Sequence, residues 1–320
     1  KGLIYDLVVQ LNKQTVTTVA VDIPTGVYCD ELNPEPVKVK ATHTLTFQMP
    51  KLSFMLPEAY PFVGRFERLP IGLSGTFIAD APASYHFLES AEVAAYLRAR
   101  TPFQHKGDFG HTLLMAGAYG TIGAVQLTAY AALRAGAGLL TIASPQCGYT
   151  PLQTAVPEAM LKPDPHETHL TAIPDLASYH AIGIGPGIGK HADTEAVLER
   201  LLDQVEQPLV MDADALNLLS QNPELWKKLP PYTLLTPHPG EFDRLTGKHT
   251  TSLERLHTLQ KLAAEQQVIV ILKGGYTAIA SPDGSVFFNS SGNPGMGTAG
   301  SGDTLTGILT SLLGQGYEPL

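Results

Sequence analysis

The residues best suited to carry out chemistry are Gly300, Ser301, Gly302 and Asp303, near the end of the sequence. They close a glycine-rich run that starts at Asn293, and glycine lets a backbone turn with positive φ and expose its N–H groups. Apolar residues at 305, 308, 309, 312 and 313 then follow the spacing of one face of an amphipathic helix. A glycine-rich turn at a helix N-terminus favours phosphate binding, because unpaired N–H groups and the helix dipole both attract an anion.

Asp303 does not fit a simple phosphate-binding turn, because a carboxylate repels a phosphate. Two roles remain open for it. It is either the N-cap of the helix or a general base that takes a proton from a hydroxyl attacking phosphorus. The run is not a Walker A loop, since no Gly-Lys-Ser/Thr closes it.

The rest of the second half of the chain alternates short apolar strands with helices. Strands are predicted at 112–116, 139–143, 181–184, 208–212, 232–236 and 268–272, helices at 125–133, 193–205 (capped by Asp193) and 252–266, and a hairpin at 277–289. This alternation predicts an α/β fold, a doubly wound and mainly parallel sheet with helices on both faces. Ligands of such sheets bind at the carboxyl ends of the strands.

Several polar residues and glycines follow these strands. His238, between two prolines, is either the cap of the next helix or a hydrogen-bond donor to substrate. Lys273 precedes two glycines, which suits a nucleotide phosphate or ribose, although a solvated lysine at a strand end has the same appearance. Asp212 and Asp214 could hold Mg²⁺ through water, and Asp214 could instead cap a helix.

Two other polar or glycine-rich stretches are less specific. The glycines at 183–189 superficially match a dinucleotide fingerprint, but Pro186 and the lack of a suitably spaced acid weaken that interpretation. We expect them to let a ligand approach the backbone. The polar residues at 105–111 either belong to a solvated loop or contribute to a site.

Composition limits the classes of function. With 44% apolar and 16% charged residues, the chain has the balance of a globular protein with a sizeable core. The net charge of −9 argues against a nucleic-acid partner. No apolar run approaches the roughly 18 residues of a membrane span, so we expect no membrane partner. Cys29 and Cys147 show no metal-binding spacing, and we expect a reduced, cytoplasmic setting.

The first 80 residues are predicted to be the C-terminal part of a longer Rossmann-like α/β domain. They contain strands at 18–23 and 42–47, and prolines at 50, 57, 61 and 70 are expected to keep the chain irregular up to 71–73. Two strands provide too little core for an independent domain, and the chain starts at Lys1 rather than Met. Residues 81–104 are predicted as a linker with a short helix at 91–98, and residues 105–320 as the main domain. Asp22, at a strand end, is a ligand candidate or a turn residue.

Residues 105–320 resemble the NAD(P)H-hydrate dehydratases of the ribokinase-like superfamily. The resemblance rests on eight motifs in the right order, at 105–111, 120–124, 131–139, 185–189, 212–216, 236–242, 272–275 and 293–303. It implies a nucleotide-dependent dehydration that phosphorylates the 6-hydroxyl of NAD(P)H hydrate and then releases phosphate. ADP or ATP with Mg²⁺ is the implied cofactor, and further helices are expected beyond Leu320.

The resemblance also assigns roles to individual residues and implies a homo-oligomer. Asp303 is the implied catalytic base. The implied substrate-binding residues are Ala124, Gly187, Gly189 and His238. The implied nucleotide-binding residues are Lys273, Gly274, Gly275, Tyr276, Thr277, Gly300, Ser301 and Gly302.

Residues 1–80 resemble the end of the NAD(P)H-hydrate epimerase domain, which in many bacteria precedes the dehydratase. On this resemblance Asp22 contacts the hydrated nucleotide and Thr25 helps to hold K⁺. The Asn-Asn-Gly-Gly-Asp motif of that family is absent from this sequence, which counts against epimerase activity. Two alternative functions remain for the whole chain: a ribokinase-like kinase of a small alcohol, and a nucleotide-binding module without turnover.

Overall fold

The computed structural model describes residues 2–319, which form two β-sheets with helices around them. A three-stranded parallel sheet contains β1 (Val19–Val21), β2 (His43–Phe47) and β3 (Arg65–Leu69) in that order. The ten strands of the second sheet are β4 (Tyr85–Leu88), β5 (His111–Met115), β6 (Leu139–Ser144), β7 (Met160–Pro163), β8 (Ala181–Ile184), β9 (Leu209–Met211), β10 (Leu234–Leu235), β11 (Ile269–Leu272), β12 (Ala278–Ala280) and β13 (Val286–Asn289).

The helices lie between these strands along the chain. They are α1 (Leu3–Leu11), α2 (Tyr60–Val63), α3 (Gly75–Asp80), α4 (Ser90–Ala95), α5 (Ile122–Arg134), α6 (Tyr149–Ala155), α7 (Ala192–Gln204), α8 (Ala213–Gln221), α9 (Pro239–Thr246), α10 (Ser252–Gln266) and α11 (Ser301–Gly314). The fully buried strands β8, β9 and β11 have apolar sequences without alternation, as expected of parallel strands covered on both faces.

The large sheet is mainly parallel and doubly wound, as predicted. Its order is β4-β13-β12-β11-β10-β9-β8-β5-β6-β7, and every neighbouring pair from β11 to β7 is parallel. The hairpin β12–β13 is antiparallel. After β5 the chain continues to β6 on one side, whereas β8 pairs with β5 on the other. This reversal opens a crevice at the carboxyl ends of β5 and β8, the usual ligand position of such sheets.

Helix α11 packs across the middle of the large sheet and against α5. The two helices approach closely at Gly307, where an added Cβ would lie 2.1 Å from the carbonyl oxygen of Thr128. A side chain at this position would force the helices apart. This close contact fixes the position of α11 against α5.

Three strands lie outside the predicted ones. β3 occupies a stretch that we expected to be irregular. The strand can form there because the prolines at 61 and 70 flank it and do not interrupt it. β7 is an edge strand that ends in Pro163, a position compatible with proline. β4 lies within the predicted linker 81–104 and pairs in parallel with β13, so part of that segment is built into the large sheet.

The two sheets share one hydrophobic core. The aromatic ring of Phe66, on β3, lies 6.3 Å from the ring of Phe87 on β4 and 6.1 Å from that of Tyr276, between ring centroids. The backbone N–H of Ser252, at the start of α10, also donates to the Glu58 carboxylate at 2.7 Å. The N-terminal residues are thus packed against the edge of the large sheet.

Candidate functional site

The glycine-rich run ends in a left-handed turn that starts α11. Gly300 is the N-cap residue, with φ of 86°, and an added Cβ would lie 2.4 Å from Cδ1 of Leu127. Ser301, the first helical residue, donates its hydroxyl to the carbonyl oxygen of Thr298. Within residues 2–319, the backbone N–H groups of Gly302 and Asp303 donate to no protein acceptor. This helix start has the geometry of an anion-binding site.

Asp303 is the third residue of α11, whose N-cap is Gly300, so the prediction that Asp303 is the N-cap was wrong. Its carboxyl group is half-buried, and that burial raises its pKa above the ordinary value of 3.8. The negative charge of Asp212 raises the pKa further, and the positive charge of Lys273 opposes the shift. A carboxylate with a raised pKa is a stronger base, as proton abstraction from a hydroxyl requires.

Asp212 connects the large sheet to α11, the helix that carries Asp303. Its carboxylate is buried, with Oδ1 accepting from Nζ of Lys273 at 2.9 Å and Oδ2 accepting from the hydroxyl of Thr306 at 2.8 Å. An added Cβ on Gly302 would lie 3.4 Å from Nζ of Lys273. Lys273 is 24% exposed and paired, so it is not a freely solvated lysine. Its charge lies beside the helix start, where a phosphate would bind.

Among the predicted substrate residues, Gly187 and Ala124 lie at the crevice between β5 and β8. The backbone N–H of Gly117 donates to the Pro186 carbonyl at 2.9 Å, and the Thr121 hydroxyl donates to the Gly187 carbonyl at 2.6 Å. Gly187 has φ of 63°, and an added Cβ would lie 2.8 Å from Cβ of Thr121. Ala124, in the first turn of α5, is partly exposed beside this pair of loops.

Asp214 organises the same crevice and does not cap the helix. The N-cap of α8 is Asp212. The Asp214 carboxylate accepts the backbone N–H of Gly189 at 3.0 Å and the side-chain amide of Asn217 at 3.3 Å. It therefore holds the 185–189 loop in its left-handed conformation. Asp214 was predicted to be a metal ligand or a helix cap, and no local sequence signal indicated its contact with Gly189.

His238 caps α9, and its other ring nitrogen, Nε2, lies 3.5 Å from Oε1 of Glu241. Its Nδ1 accepts the backbone N–H groups of Gly240 at 3.0 Å and Glu241 at 3.2 Å. Because Nδ1 accepts, the proton of a neutral ring is assigned to Nε2. The side chain is 51% exposed, so Nε2–H can donate to a ligand. The cap and the predicted donor role are compatible.

The remaining predicted nucleotide residues form the turn between β11 and β12. Gly274 and Gly275 are exposed, and the Thr277 hydroxyl donates to the Gly274 carbonyl at 3.2 Å. Tyr276 differs from its neighbours, because its ring packs into the aromatic cluster with Phe66. Burial raises the pKa of the Tyr276 hydroxyl. Its phenol is therefore less open to a ligand than the glycine backbone is.

Asp22 and Thr25 lie in the small sheet and not beside Asp303. Asp22 has φ of 66°, and its Oδ1 accepts from the backbone of Phe47 at 2.9 Å and lies 2.8 Å from Nζ of Lys51. The hydrogen bond from Lys51 is the main cause of the lowered pKa of the Asp22 carboxyl group. Thr25 is exposed, and its carbonyl accepts the N–H of Val39. The structure thus leaves these two residues in a separate candidate site.

A cavity of ≈ 220 Å³ lies on the same side of the molecule as the small sheet. Its lining includes Val27, Phe62 and Thr251 and none of the predicted site residues. The candidate site is therefore defined by the chemistry around Asp303 and not by the size of a cavity.

Comparison with known proteins adds independent findings. A family profile described as NAD(P)H-hydrate dehydratase matches residues 112–320, and one described as YjeF-related protein N-terminus matches residues 1–53. The bifunctional NAD(P)H-hydrate repair enzyme of Moorella thermoacetica is 38% identical, over 99% of this chain and 62% of the relative. The corresponding enzyme of Escherichia coli is 33% identical, over 99% of this chain and 60% of the relative. The chain thus spans about three fifths of the length of these curated relatives.

Two solved structures resemble the large sheet and its helices. A ribokinase-like superfamily protein from Enterococcus faecalis is 28% identical with a TM-score of 0.64, covering 75% of this chain and 83% of that one. The ADP/ATP-dependent NAD(P)H-hydrate dehydratase from Bacillus subtilis, co-crystallised with ATP and Mg²⁺, is 31% identical with a TM-score of 0.61, covering 73% of this chain and 83% of that one. Fold and site together define a ribokinase-like α/β protein. Within that class, the chain belongs to the NAD(P)H-hydrate dehydratase family.

Across residues 2–319, no helix combines the length and the apolar character needed to span a bilayer.

Proposed function

We propose that this chain converts NAD(P)H hydrate back to NAD(P)H with ATP or ADP as the phosphoryl donor. The observation that carries the proposal is the half-buried Asp303, with its raised pKa, next to two backbone N–H groups without protein acceptors. A base and an anion-binding turn at one helix start are the two groups that phosphorylation of an alcohol requires. The family membership and the ribokinase-like fold support the substrate class.

In the proposed reaction, the 6-hydroxyl oxygen of the hydrate attacks the terminal phosphorus of the nucleotide, and Asp303 accepts the hydroxyl proton. The bond from phosphorus to the leaving nucleotide oxygen breaks as the new one forms. The N–H groups of Gly302 and Asp303, with Lys273, stabilise the charge on the transferring group. The carbon–oxygen bond then breaks with phosphate as leaving group, and loss of a ring proton restores the double bond. Phosphorylation is needed because hydroxide is a poor leaving group.

Mg²⁺ would neutralise charge on the nucleotide phosphates when it is bound. Asp212 already accepts bonds from Lys273 and Thr306, and Asp214 holds Gly189. Since Mg²⁺ keeps several waters and needs only one or two carboxylates in addition to substrate phosphates, these two acids fit water-mediated contact better than direct ligation.

On the substrate side, we assign the hydrate to the crevice beside Gly187 and Ala124, with Gly189 and His238 as the further proposed contacts. The Gly187 carbonyl, which keeps a second lone pair beside its bond from Thr121, and the His238 Nε2–H offer an acceptor and a donor to the nicotinamide amide. Gly274, Gly275 and Thr277 are assigned to the nucleotide, because their turn directly follows Lys273.

The experiment incubates the protein with hydrated NADH, Mg²⁺ and either ATP or ADP, and follows NADH absorbance and orthophosphate. We expect both products from the unaltered chain and a roughly 10²–10⁴-fold lower rate for Asp303→Asn. The control Asp203→Asn, at an exposed acid on α7, should leave the rate unchanged, because an exposed ion pair contributes little. A rate for Asp303→Asn equal to that of the control would contradict the proposal.

The same assay, together with a calorimetric titration of nucleotide, separates the alternatives. A ribokinase-like kinase would accumulate a phosphoester without NADH, and a binding module would give a calorimetric signal with nucleotide but no product. The roles of Asp22 and Thr25, K⁺ binding, a homo-oligomer and a cytoplasmic location stay predictions. Light scattering of the purified chain tests the oligomer.

A further inference from the structure

Three imidazoles and a carboxylate meet on the surface beside the 185–189 loop. Nε2 of His169 lies 3.1 Å from Oδ2 of Asp193, and Nδ1 of His191 lies 3.4 Å from the same oxygen. The ring of His169 lies between those of His166 and His191, with both centroid separations at 3.9 Å. Neither the proposed dehydration nor the nucleotide site uses any of these side chains.

The spacing of these atoms matches the ligand shell of a transition metal. A tetrahedral ion with bonds of about 2.0–2.1 Å to nitrogen and oxygen separates its ligand atoms by about 3.3 Å. The two distances to the Asp193 oxygen are close to this value, and the ligand atoms of the three residues all lie within 4.8 Å of one another. We propose that His169, His191 and Asp193 bind one divalent transition metal ion of the Zn²⁺ type, with water or His166 in the fourth position.

The loop that carries His169 is already organised for this role. The buried Asp164 accepts the backbone N–H groups of His166, Thr171 and Ala172 and so fixes the 164–172 loop. The Thr168 hydroxyl lies 3.1 Å from Nδ1 of His169. With this hydroxyl accepting the Nδ1 proton, the lone pair of Nε2 points to Asp193 and is available to a metal. Partners of this kind orient metal-binding histidines in other proteins.

The three ligands contribute unequally. The side chain of His169 is 13% exposed and is oriented by its contact with Thr168, whereas the side chains of Asp193 and His191 are more exposed. Nδ1 of His191 also accepts the backbone N–H of Asp193 at 3.2 Å, a bond that the metal must replace. We therefore expect His169 to be the most important ligand for affinity.

The metal would connect the 164–172 loop to the start of α7. The Thr168 carbonyl accepts the N–H of Tyr119 at 2.8 Å, so the same loop also contacts the turn that precedes α5. An ion here would hold the 164–172 loop, and with it the turn that precedes α5, to the start of α7. It would not contact the reacting groups. Imidazole ligands favour Zn²⁺, Ni²⁺ or Cu²⁺ over Mg²⁺, so this site is distinct from that of the nucleotide-bound magnesium.

The test uses the full, untagged chain after removal of metals with a chelator. Titration with ZnCl₂ is followed by calorimetry, and Co²⁺ is added separately to record its visible absorption. We expect one ion per chain, a Zn²⁺ affinity at least about tenfold lower in His169→Ala, and the loss of the Co²⁺ band. Circular dichroism checks that the variant is folded. The control His257→Ala, at an exposed histidine on α10, should bind like the unaltered chain.

Zinc should also raise the Tm of the unaltered chain and of the control, because a ligand that binds only the folded state stabilises it. The increase should be smaller for His169→Ala at the same Zn²⁺ concentration. Absence of Zn²⁺ binding, or equal affinity in His169→Ala and His257→Ala, would overturn the proposal.

Discussion

The ammonium group of Lys273 lies 2.9 Å from Oδ1 of Asp212, in an ion pair that joins two strand ends of the large sheet. Asp212 directly follows β9 and Lys273 directly follows β11, with β10 between them. The second carboxylate oxygen of Asp212 accepts from Thr306 on α11. One buried acid thus holds a lysine and a helix at the place where Asp303 is expected to act.

Replacement of Asp212 by Asn should move the acidic limb of the pH–rate profile to lower pH. The charge of Asp212 raises the pKa of Asp303, and Lys273 lowers it. Removal of the Asp212 charge leaves burial, which still raises this pKa, and Lys273, which lowers it, so the pKa of Asp303 should fall. The base then stays deprotonated to a lower pH, so kcat/KM falls only at a lower pH. The measurement is kcat/KM for hydrated NADH across acidic and neutral pH.

The control for this change is Thr306→Val, which removes the hydrogen bond to Asp212 but no charge. Its acidic limb should stay closer to that of the unaltered protein. Both variants should lose about 1–3 kcal/mol of stability, since each leaves a buried polar group without its partner. An acidic limb that moves to higher pH in Asp212→Asn would contradict the proposed coupling.

Asp303→Asn should stabilise the protein at neutral pH although it slows turnover. The pKa of this carboxyl group is raised above 3.8 in the folded protein. The folded state therefore binds the proton more tightly than the unfolded state does. The free energy of unfolding therefore decreases as pH rises through the window above 3.8, and the ionised group costs stability at pH 7. We expect a gain of about 0.5–2 kcal/mol in urea unfolding at pH 7, which disappears at acidic pH.

Asp243→Asn provides a control of opposite sign. Arg255, and then His249, lower the pKa of the Asp243 carboxyl through hydrogen bonds. The ionised Asp243 carboxylate therefore stabilises the folded state above pH 3.8, and this stabilisation is lost as the pH falls. This variant should therefore be less stable at pH 7 by about 1–3 kcal/mol. The same sign for both variants would argue against the electrostatic origin of the effect.

Gly300→Ala should reduce turnover more than tenfold, and Gly284→Ala should not. Both glycines have φ of 86°, so alanine at either position costs roughly 1–2 kcal/mol of backbone strain. Only at Gly300 does the new Cβ meet another side chain, Leu127 at 2.4 Å, whereas nothing lies within 4 Å at Gly284. Relief of the clash requires movement of the Leu127 side chain or of the helix start with its N–H groups. We expect the helix start to move, and a displacement of about 1 Å can cost about 10²-fold in rate. Steady-state kinetics of the two variants provides the comparison.

Gly307→Ala should destabilise the protein by about 1–3 kcal/mol, because its Cβ would push α11 away from the Thr128 carbonyl. Gly123→Ala, also inside a helix, has nothing within 4 Å of the new Cβ. Its helix should become more stable by up to about 1 kcal/mol. Urea unfolding at pH 7 measures both, and a loss at Gly123 equal to that at Gly307 would contradict the packing argument.

Local pattern was enough to predict much of the fold. The helix predicted at 252–266 and the strand at 181–184 have the observed bounds, Ser252–Gln266 and Ala181–Ile184. The hairpin around Gly284 was also found. At the start of α7 the prediction was wrong, because His191 and not Asp193 is the cap: its ring accepts the Asp193 N–H. Aspartate is the commoner cap residue, and sequence alone favoured it.

The edge strands were harder to predict. β3 and β7 have few fully buried residues and no clear alternation of buried and exposed residues. Each lies at the edge of its sheet and has a neighbouring strand on one side only. Their existence depends on pairing with β2 and β6, whose positions along the chain are distant. No local signal reports such a pairing.

The sequence by itself determined which segments become strands and helices and that Gly300 to Asp303 form a helix start suited to phosphate, because backbone preferences and burial periodicity act over a few residues. Only the tertiary structure decided that Asp212 meets Lys273, 61 positions away, and Thr306, 94 positions away. It likewise placed Asp214 on Gly189 and His169 beside Asp193. Charges and hydrogen bonds act through space, so the pKa of Asp303 depends on neighbours that only the folded chain brings together.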